Sequence, residues 1–189
     1  MRKIFLFIIG LSAALPLAAQ TDRTEKVQSV QLNLLGLQYS YTFPVGKKWT
    51  VTPHAGISGE FGWTSSGYWS WSEDDGLRDE GHFFYTLRGS GGIDVRYYYN
   101  LSRRLEQGRR TAFNSGNFFA VDFQYHSRAF AYKNAVRDDV LLAYPCWGIR
   151  RVYQGKYLLE VTGGAMAGLS DGTWRVRGPK FDLKMGFVF

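Results

Sequence analysis

Residues 49–63 read WTVTPHAGISGEFGW, and the spacing within that stretch decides the fold. Its odd positions are Trp49, Val51, Pro53, Ala55, Ile57, Gly59, Phe61 and Trp63; its even positions are Thr50, Thr52, His54, Gly56, Ser58, Glu60 and Gly62. Successive side chains of a β-strand turn to opposite faces, so this period of two sets an apolar face against a hydrophilic one. The same phase returns further along the chain. Phe83, Tyr85, Leu87, Ile93, Val95, Tyr97 and Tyr99 oppose Thr86, Arg88, Ser90, Asp94 and Arg96, and Phe119, Val121, Phe123 and Tyr125 oppose Asp122, Gln124, His126 and Arg128. Tyr157 to Leu169 carries Glu160 and Thr162 on its polar side, and Phe181 to Phe189 carries Asp182 and Lys184 there. Leu35 to Phe43 and Leu141 to Arg151 bring the strands to seven. Val30, Leu32 and Leu34 precede Leu35 in the opposite phase, a shift that a bulge near Leu34 and Leu35 would reconcile.

A soluble sandwich also alternates, but it turns its apolar face inward and rarely brackets each strand with aromatics. Here Trp49 and Trp63, Phe83 with Tyr97 and Tyr99, and Phe181 with Phe187 and Phe189 flank the apolar bands. Amphipathic rings prefer a membrane interface, so the spacing predicts two aromatic girdles around a closed antiparallel transmembrane β-barrel. Barrels of this kind have an even number of strands with both ends on one side of the membrane. Eight are therefore expected, with Thr24 to Leu34 supplying the missing strand.

Composition agrees. Aromatics make up 17% of the 189 residues and there are 22 glycines, a bias toward strands. The length suits one domain. Residues 1–19 read as a cleaved signal peptide: Arg2 and Lys3 supply the charged start, Ile4 to Leu15 the apolar stretch, and Pro16, Leu17, Ala18 and Ala19 a small-residue cleavage region. Residues 20–189 then form the barrel domain. No later segment is apolar enough to cross a membrane as a helix. The lone cysteine, Cys146, permits no internal disulfide, and none stands near the cleavage region to carry a lipid. Without Arg2 and Lys3 the formal charge falls from +7 to +5, an excess that suits anionic headgroups; export makes nucleic acid the poorer partner.

The chain closes on Phe187, Val188 and Phe189, which resembles the C-terminal strand that the barrel-assembly machinery recognises in outer-membrane proteins. Tyr97, Tyr98, Tyr99 and Asn100, the pairs Arg103 with Arg104 and Arg109 with Arg110, and Asn114 to Phe118 resemble a pattern found in small Gram-negative outer-membrane barrels of the OmpA/OmpX-like kind, members of unassigned function. The resemblance implies an outer-membrane location, contact with membrane lipids and lipopolysaccharide, and a monomer. If the last strand descends to the periplasm, Pro44 to Lys48, Leu101 to Ser115 and Tyr153 to Lys156 are periplasmic. Thr64 to Gly81, Ala131 to Asp139 and Ser170 to Lys180 are then extracellular. Leu101 to Ser115 is long for a periplasmic turn, and its spacing of Leu101 and Leu105 fits a short helix.

With the polar faces inward, Glu60, Asp94, Asp122, Glu160 and Asp182 meet Arg88, Arg96, Arg128, Arg150 and Lys184 in one narrow space. Balanced signs predict a paired network that plugs the interior, since an unpaired buried charge is costly. A water-filled diffusion channel is the alternative. His126 and His54 are the catalytic candidates for a lipid A- or phospholipid-modifying enzyme, but Ser127 follows His126 directly, so the two side chains point to opposite faces. The expectation is therefore a non-enzymatic barrel that serves envelope integrity or surface binding. In the loop from Ser65 to Gly81, Tyr68, Trp69 and Trp71 beside Asp74 and Asp75 form the candidate binding surface. No zinc pattern, calcium loop or nucleotide fingerprint is present, so neither metal nor cofactor is expected.

Overall fold

A computed structural model describes residues 22–33, 36–64, 82–134, 138–170 and 173–189, with the backbone alone at 60–64, 82 and 170. The expected signal segment and the loop carrying Tyr68, Trp69, Trp71, Asp74 and Asp75 lie outside the described residues. The described residues form nine strands: β1 (Val27–Asn33), β2 (Gly36–Pro44), β3 (Trp49–Thr64), β4 (His82–Tyr98), β5 (Asn117–His126), β6 (Ala131–Lys133), β7 (Val140–Tyr153), β8 (Tyr157–Ser170) and β9 (Thr173–Val188). One helix, α1 (Leu101–Glu106), and a 3-10 turn at Ala112–Asn114 lie between β4 and β5. The protein is all-β, and among the described residues no helix is long and apolar enough to cross a membrane.

Every pairing is antiparallel, and the pairing returns on itself. β1 pairs with β2, β2 with β3, β3 with β4, β4 with β5, β5 with β7, β7 with β8, β8 with β9, and β9 with β1 again. The short β6 pairs with β4 through Tyr85, Thr86 and Leu87, continuing the track that β5 leaves at His126. The ring thus has eight strand positions. Its near end gathers the start of β1, the end of β9 and the connections 45–48, 99–116 and 154–156; the other connections lie at the far end.

The eighth position is supplied, as expected, from within Thr24 to Leu34, by β1, but β1 and β2 are two antiparallel strands and not one bulged strand. Residues of β1 pair antiparallel with β2 down to Asn33 opposite Gly36, so the change of phase separates two strands and is not a bulge within one. A second expectation also fails. Ser170 to Lys180 is no loop: β8 runs to Ser170, β9 starts at Thr173, and the two pair directly across that turn. Thr173, Trp174, Arg175, Val176 and Arg177 are all exposed, so this hairpin has neither a polar nor an apolar buried face to betray it by alternation. The expected helix after β4 is present as α1.

Burial is inverted relative to a soluble sheet. Ser29, Gln31, Ser40, Thr50, Thr52, Arg96, Asp122, Arg150, Glu160 and Lys184 are buried, whereas Leu37, Ile57, Ile93, Phe123, Leu183 and Met185 are about half exposed. The enclosed face collects the polar side of every alternating strand. On the outer face aromatic rings cluster toward the near end: Tyr41 with Phe43, Trp49 with Tyr97, Tyr99 with Phe119, and Tyr157 with Phe187, at centroid distances of 4.4 to 5.6 Å. Tyr85, Tyr125, Tyr132 and Trp174 are exposed toward the far end.

The buried apolar side chains lie mostly near the near end. Val27, Ala112, Phe113, Val152, Leu158 and Val188 make one cluster, and Tyr98, Leu101, Phe118 and Ala120 a second, against which Cys146 packs. The segment from Thr111 to Gly116 is buried throughout. It is pinned by side chains that satisfy main chain: Asn114 accepts from Glu25 N–H at 2.7 Å and donates to Glu25 C=O at 2.9 Å, while the Glu25 carboxylate accepts from Phe113 N–H at 3.0 Å. Phe113 and Asn114 both sit at positive φ, 56° and 60°, a conformation that only strong surrounding contacts sustain. The connection after β4 is therefore a stopper seated in the near end of the ring.

Candidate functional site

The enclosed face holds two hydrogen-bonded networks. In the first, the Arg96 guanidinium on β4 grips Glu160 on β8 with two bonds of 2.7 and 2.9 Å, reaching across the two intervening strands. Its Nε also donates to Asp94 at 2.6 Å, and Arg150 Nη1 donates to Glu160 at 3.1 Å. Arg150 Nε turns toward the near end and donates to Phe113 C=O at 3.2 Å, which ties the charges to the stopper. The Arg96 guanidinium lies 4.5 Å above the Phe118 ring. Two carboxylates and two guanidiniums therefore share one desolvated cluster of zero formal charge. Balance of this kind is what makes burial of ions tolerable.

The second network runs along β5. His54 on β3 donates its ring N–H to Asp122 at 2.9 Å, since a carboxylate only accepts. Asp122 also accepts from the Gln124 amide, whose oxygen faces His126 Nε2 at 3.3 Å. His54 reaches β5 by passing over β4 at Gly92, its register partner, where a Cβ would stand 2.8 Å from the imidazole. Any larger residue at 92 would close that route. On the opposite wall the hydrogen bonds join uncharged groups of β1, β2 and the start of β3: Ser29 and Ser40 share a 2.7 Å bond, Gln31 donates to Ser29 at 2.8 Å, and Thr52 donates to Thr42 at 3.1 Å.

Of the ten charges expected to meet inside, Asp94, Arg96, Arg150 and Glu160 are joined in the first network, and Asp122 is held in the second. Lys184 and Asp182 stand 3.7 Å apart. Arg88 is buried and donates to Asp138 C=O at 3.4 Å. Glu60 lies in β3 opposite Thr86, its side chain outside the described atoms. Arg128 is exposed: β5 stops at His126, so the phase that would have turned Arg128 inward does not continue.

His54 and His126 are not joined to a nucleophile by the described hydrogen bonds. The Ser127 hydroxyl accepts from Gly89 N–H of β4 at 3.0 Å and donates to Arg128 C=O at 3.3 Å, so both of these bonds are to main chain and neither is to His126. His54 and Asp122 form a base-and-orienter pair, but the described hydrogen bonds bring no hydroxyl to that ring. Among the described residues no group of His, Cys, Asp and Glu could hold a metal.

One feature escaped the sequence entirely. The His54 and Asp122 contact joins residues 68 positions apart, with Gly92 as its only local sign. The basic near end was legible as the pairs Arg103 with Arg104 and Arg109 with Arg110, but not the burial of one member: Arg104 of α1 is buried with its Nη2 donating to Arg110 C=O at 2.9 Å, while Arg103, Arg109 and Arg110 are exposed. Burial and the like charge of Arg109 pull the Arg104 guanidinium below its usual pKa. Comparison of the chain with protein-family models, curated proteins and solved structures finds no match.

Proposed function

We propose that the chain is an eight-stranded outer-membrane β-barrel whose interior is closed by paired charges and by its near-end stopper. It serves the envelope as an anchored scaffold, and surface recognition falls to the far-end connections. The observation that carries this reading is the inverted burial: Arg150, Gln31 and Glu160 rank among the largest wholly buried side chains, while Leu, Ile, Phe and Trp line the outside. In water so continuous an apolar surface would drive aggregation; in lipid it is the stable arrangement.

The dimensions agree with a bilayer. From Tyr85 to Tyr97 β4 covers about 40 Å along the strand, or about 30 Å along the ring axis at a tilt of about 40°, which matches the hydrophobic core. Lys156 lies 5.9 Å from the Tyr157 and Phe187 rings and Lys26 5.0 Å from Tyr41, the placement expected of cations that reach headgroups beyond an aromatic girdle. Export through residues 1–19 and recognition of the strand ending at Phe189 by the assembly machinery belong to the same reading.

A closed interior separates this proposal from a diffusion channel. Protein refolded in detergent is expected to migrate differently before and after boiling, and to show no stepwise conductance in planar lipid bilayers. Identical migration together with helical circular dichroism would overturn the barrel. Discrete conductance steps from the folded protein would overturn the plugged interior.

A further inference from the structure

The near end carries a cleft of about 460 Å³ lined by Arg104, Arg110, Ser115, Arg151, Val152, Tyr153 and Gln154. Three guanidiniums thus meet in one concavity, and among the described residues no carboxylate forms an ion pair with any of them. Their hydrogen bonds go to neutral acceptors. Arg151 donates to the C=O groups of Gly116 and Arg150 and to the Asn117 side chain, at 3.0, 2.7 and 2.7 Å, and Arg104 donates to Arg110 C=O. Arg104 is 9% exposed, and its buried Nε has no acceptor. A buried, positively charged donor without a partner is an arrangement that an incoming anion completes.

We infer that Arg104, Arg110 and Arg151 form a binding site for the phosphate of an anionic lipid headgroup. Guanidinium forks match the oxygen geometry of a phosphate. The choice of a lipid over another phosphate rests on the membrane reading above and on Tyr153, which lines the cleft yet is 54% exposed on the same outer face as Tyr157 and Phe187. One wall of the site is therefore part of the aromatic row that borders the apolar band. A ligand filling it carries its charge in the cleft and its hydrocarbon along the outside of the ring. The chain beside it is basic, with Arg103 and Arg109 exposed next to Arg104 and Arg110, and Lys156 exposed in the connection that carries Gln154, which disfavours the ammonium of a zwitterionic headgroup.

The test uses the full chain folded in uncharged detergent, with binding read by native mass spectrometry. Short-chain phosphatidylglycerol, phosphatidylcholine of equal acyl length, inorganic phosphate and an acidic peptide are offered in turn. Phosphatidylglycerol is expected to be retained about tenfold better than phosphatidylcholine, the scale of one charge-assisted contact. Arg104→Gln and Arg110→Gln should each lose most of that preference; Arg110 has an exposed side chain, so its variant folds even where the first does not. Arg175→Gln, exposed on the far-end hairpin, should keep it. Equal retention of the two lipids, unchanged binding by Arg110→Gln, displacement of the lipid by millimolar phosphate, or stronger retention of the acidic peptide would each overturn the site. If the protein shows no heat-dependent migration in detergent, the membrane reading fails and the lipid with it. Retained heat-dependent migration with no lipid preference refutes the site alone.

Discussion

Replacing Glu160 by Gln removes one charge from the centre of the larger network and leaves its shape intact. Glu160 is 1% exposed and accepts three charge-assisted bonds, at 2.7 and 2.9 Å from Arg96 and 3.1 Å from Arg150. At roughly 1.5 to 3 kcal/mol each these bonds would total well above 4 kcal/mol if all were lost. They are not all lost: Asp94 still compensates Arg96 at 2.6 Å, and the amide oxygen still accepts one bond. Arg150 becomes the uncompensated ion, and stranding one buried charge costs about 3 to 5 kcal/mol. With a urea slope of about 2 kcal/mol per molar, the unfolding midpoint should fall by about 2 M. The assay is reversible urea unfolding in lipid vesicles followed by tryptophan fluorescence. The double variant Glu160→Gln with Arg150→Met restores neutrality and should recover part of the loss, giving a coupling of about 1 to 3 kcal/mol. A single variant within about 0.5 kcal/mol of the parent would mean that water already solvates these groups, and the reasoning from desolvated pairing would be wrong.

Two further outcomes follow from other parts of the molecule. Ile57 is 50% exposed midway along β3, so Ile57→Arg should weaken folding into vesicles by about 2 to 4 kcal/mol if that face meets lipid, against less than about 0.5 kcal/mol if it meets water; unfolding titrations of the two proteins decide between them. Lipid A mass spectra from cells producing the parent chain and His126→Ala should be identical, because Ser127 is committed to Gly89 and Arg128 main chain. An acyl change that depends on His126 would restore the enzyme reading.

The strands were legible because an enclosed polar face and an exposed apolar one impose an unbroken period of two, as from Trp49 to Ile57. Where one of those constraints lapses, legibility lapses with it. Thr173 to Arg177 is exposed on both faces and reads as loop, and the apolar run of Leu32, Leu34 and Leu35 hides the break between β1 and β2, although Asn33 and Gly36 bracket it. Arg128 was misplaced because periodicity gives a phase but not an endpoint. The members of the interior network could be chosen from the sequence, since facing inward is a local property. Their partners could not, since Arg96 finding Glu160 and His54 finding Asp122 depend on ring geometry. The stopper was legible only as an overlong connection carrying a helix; its burial depends on Glu25 meeting Asn114, a contact with no local signature.

The seam between β1 and β9 sets how such a chain can be made. Ser29 to Leu32 pair with Val188 to Met185, and Gln28 exchanges two main-chain bonds with Phe189, at 3.0 and 3.1 Å. The partners come from opposite extremes of the described chain, so the contact order is high and closure is late. Until that seam forms, both strands present unpaired main-chain edges, the template on which β-rich chains aggregate. No fragment lacking β9 can finish the ring, because β1 and β8 both pair with it. The strand that closes the ring is thus the last in chain order, and the edges of β1 and β8 stay open until it pairs.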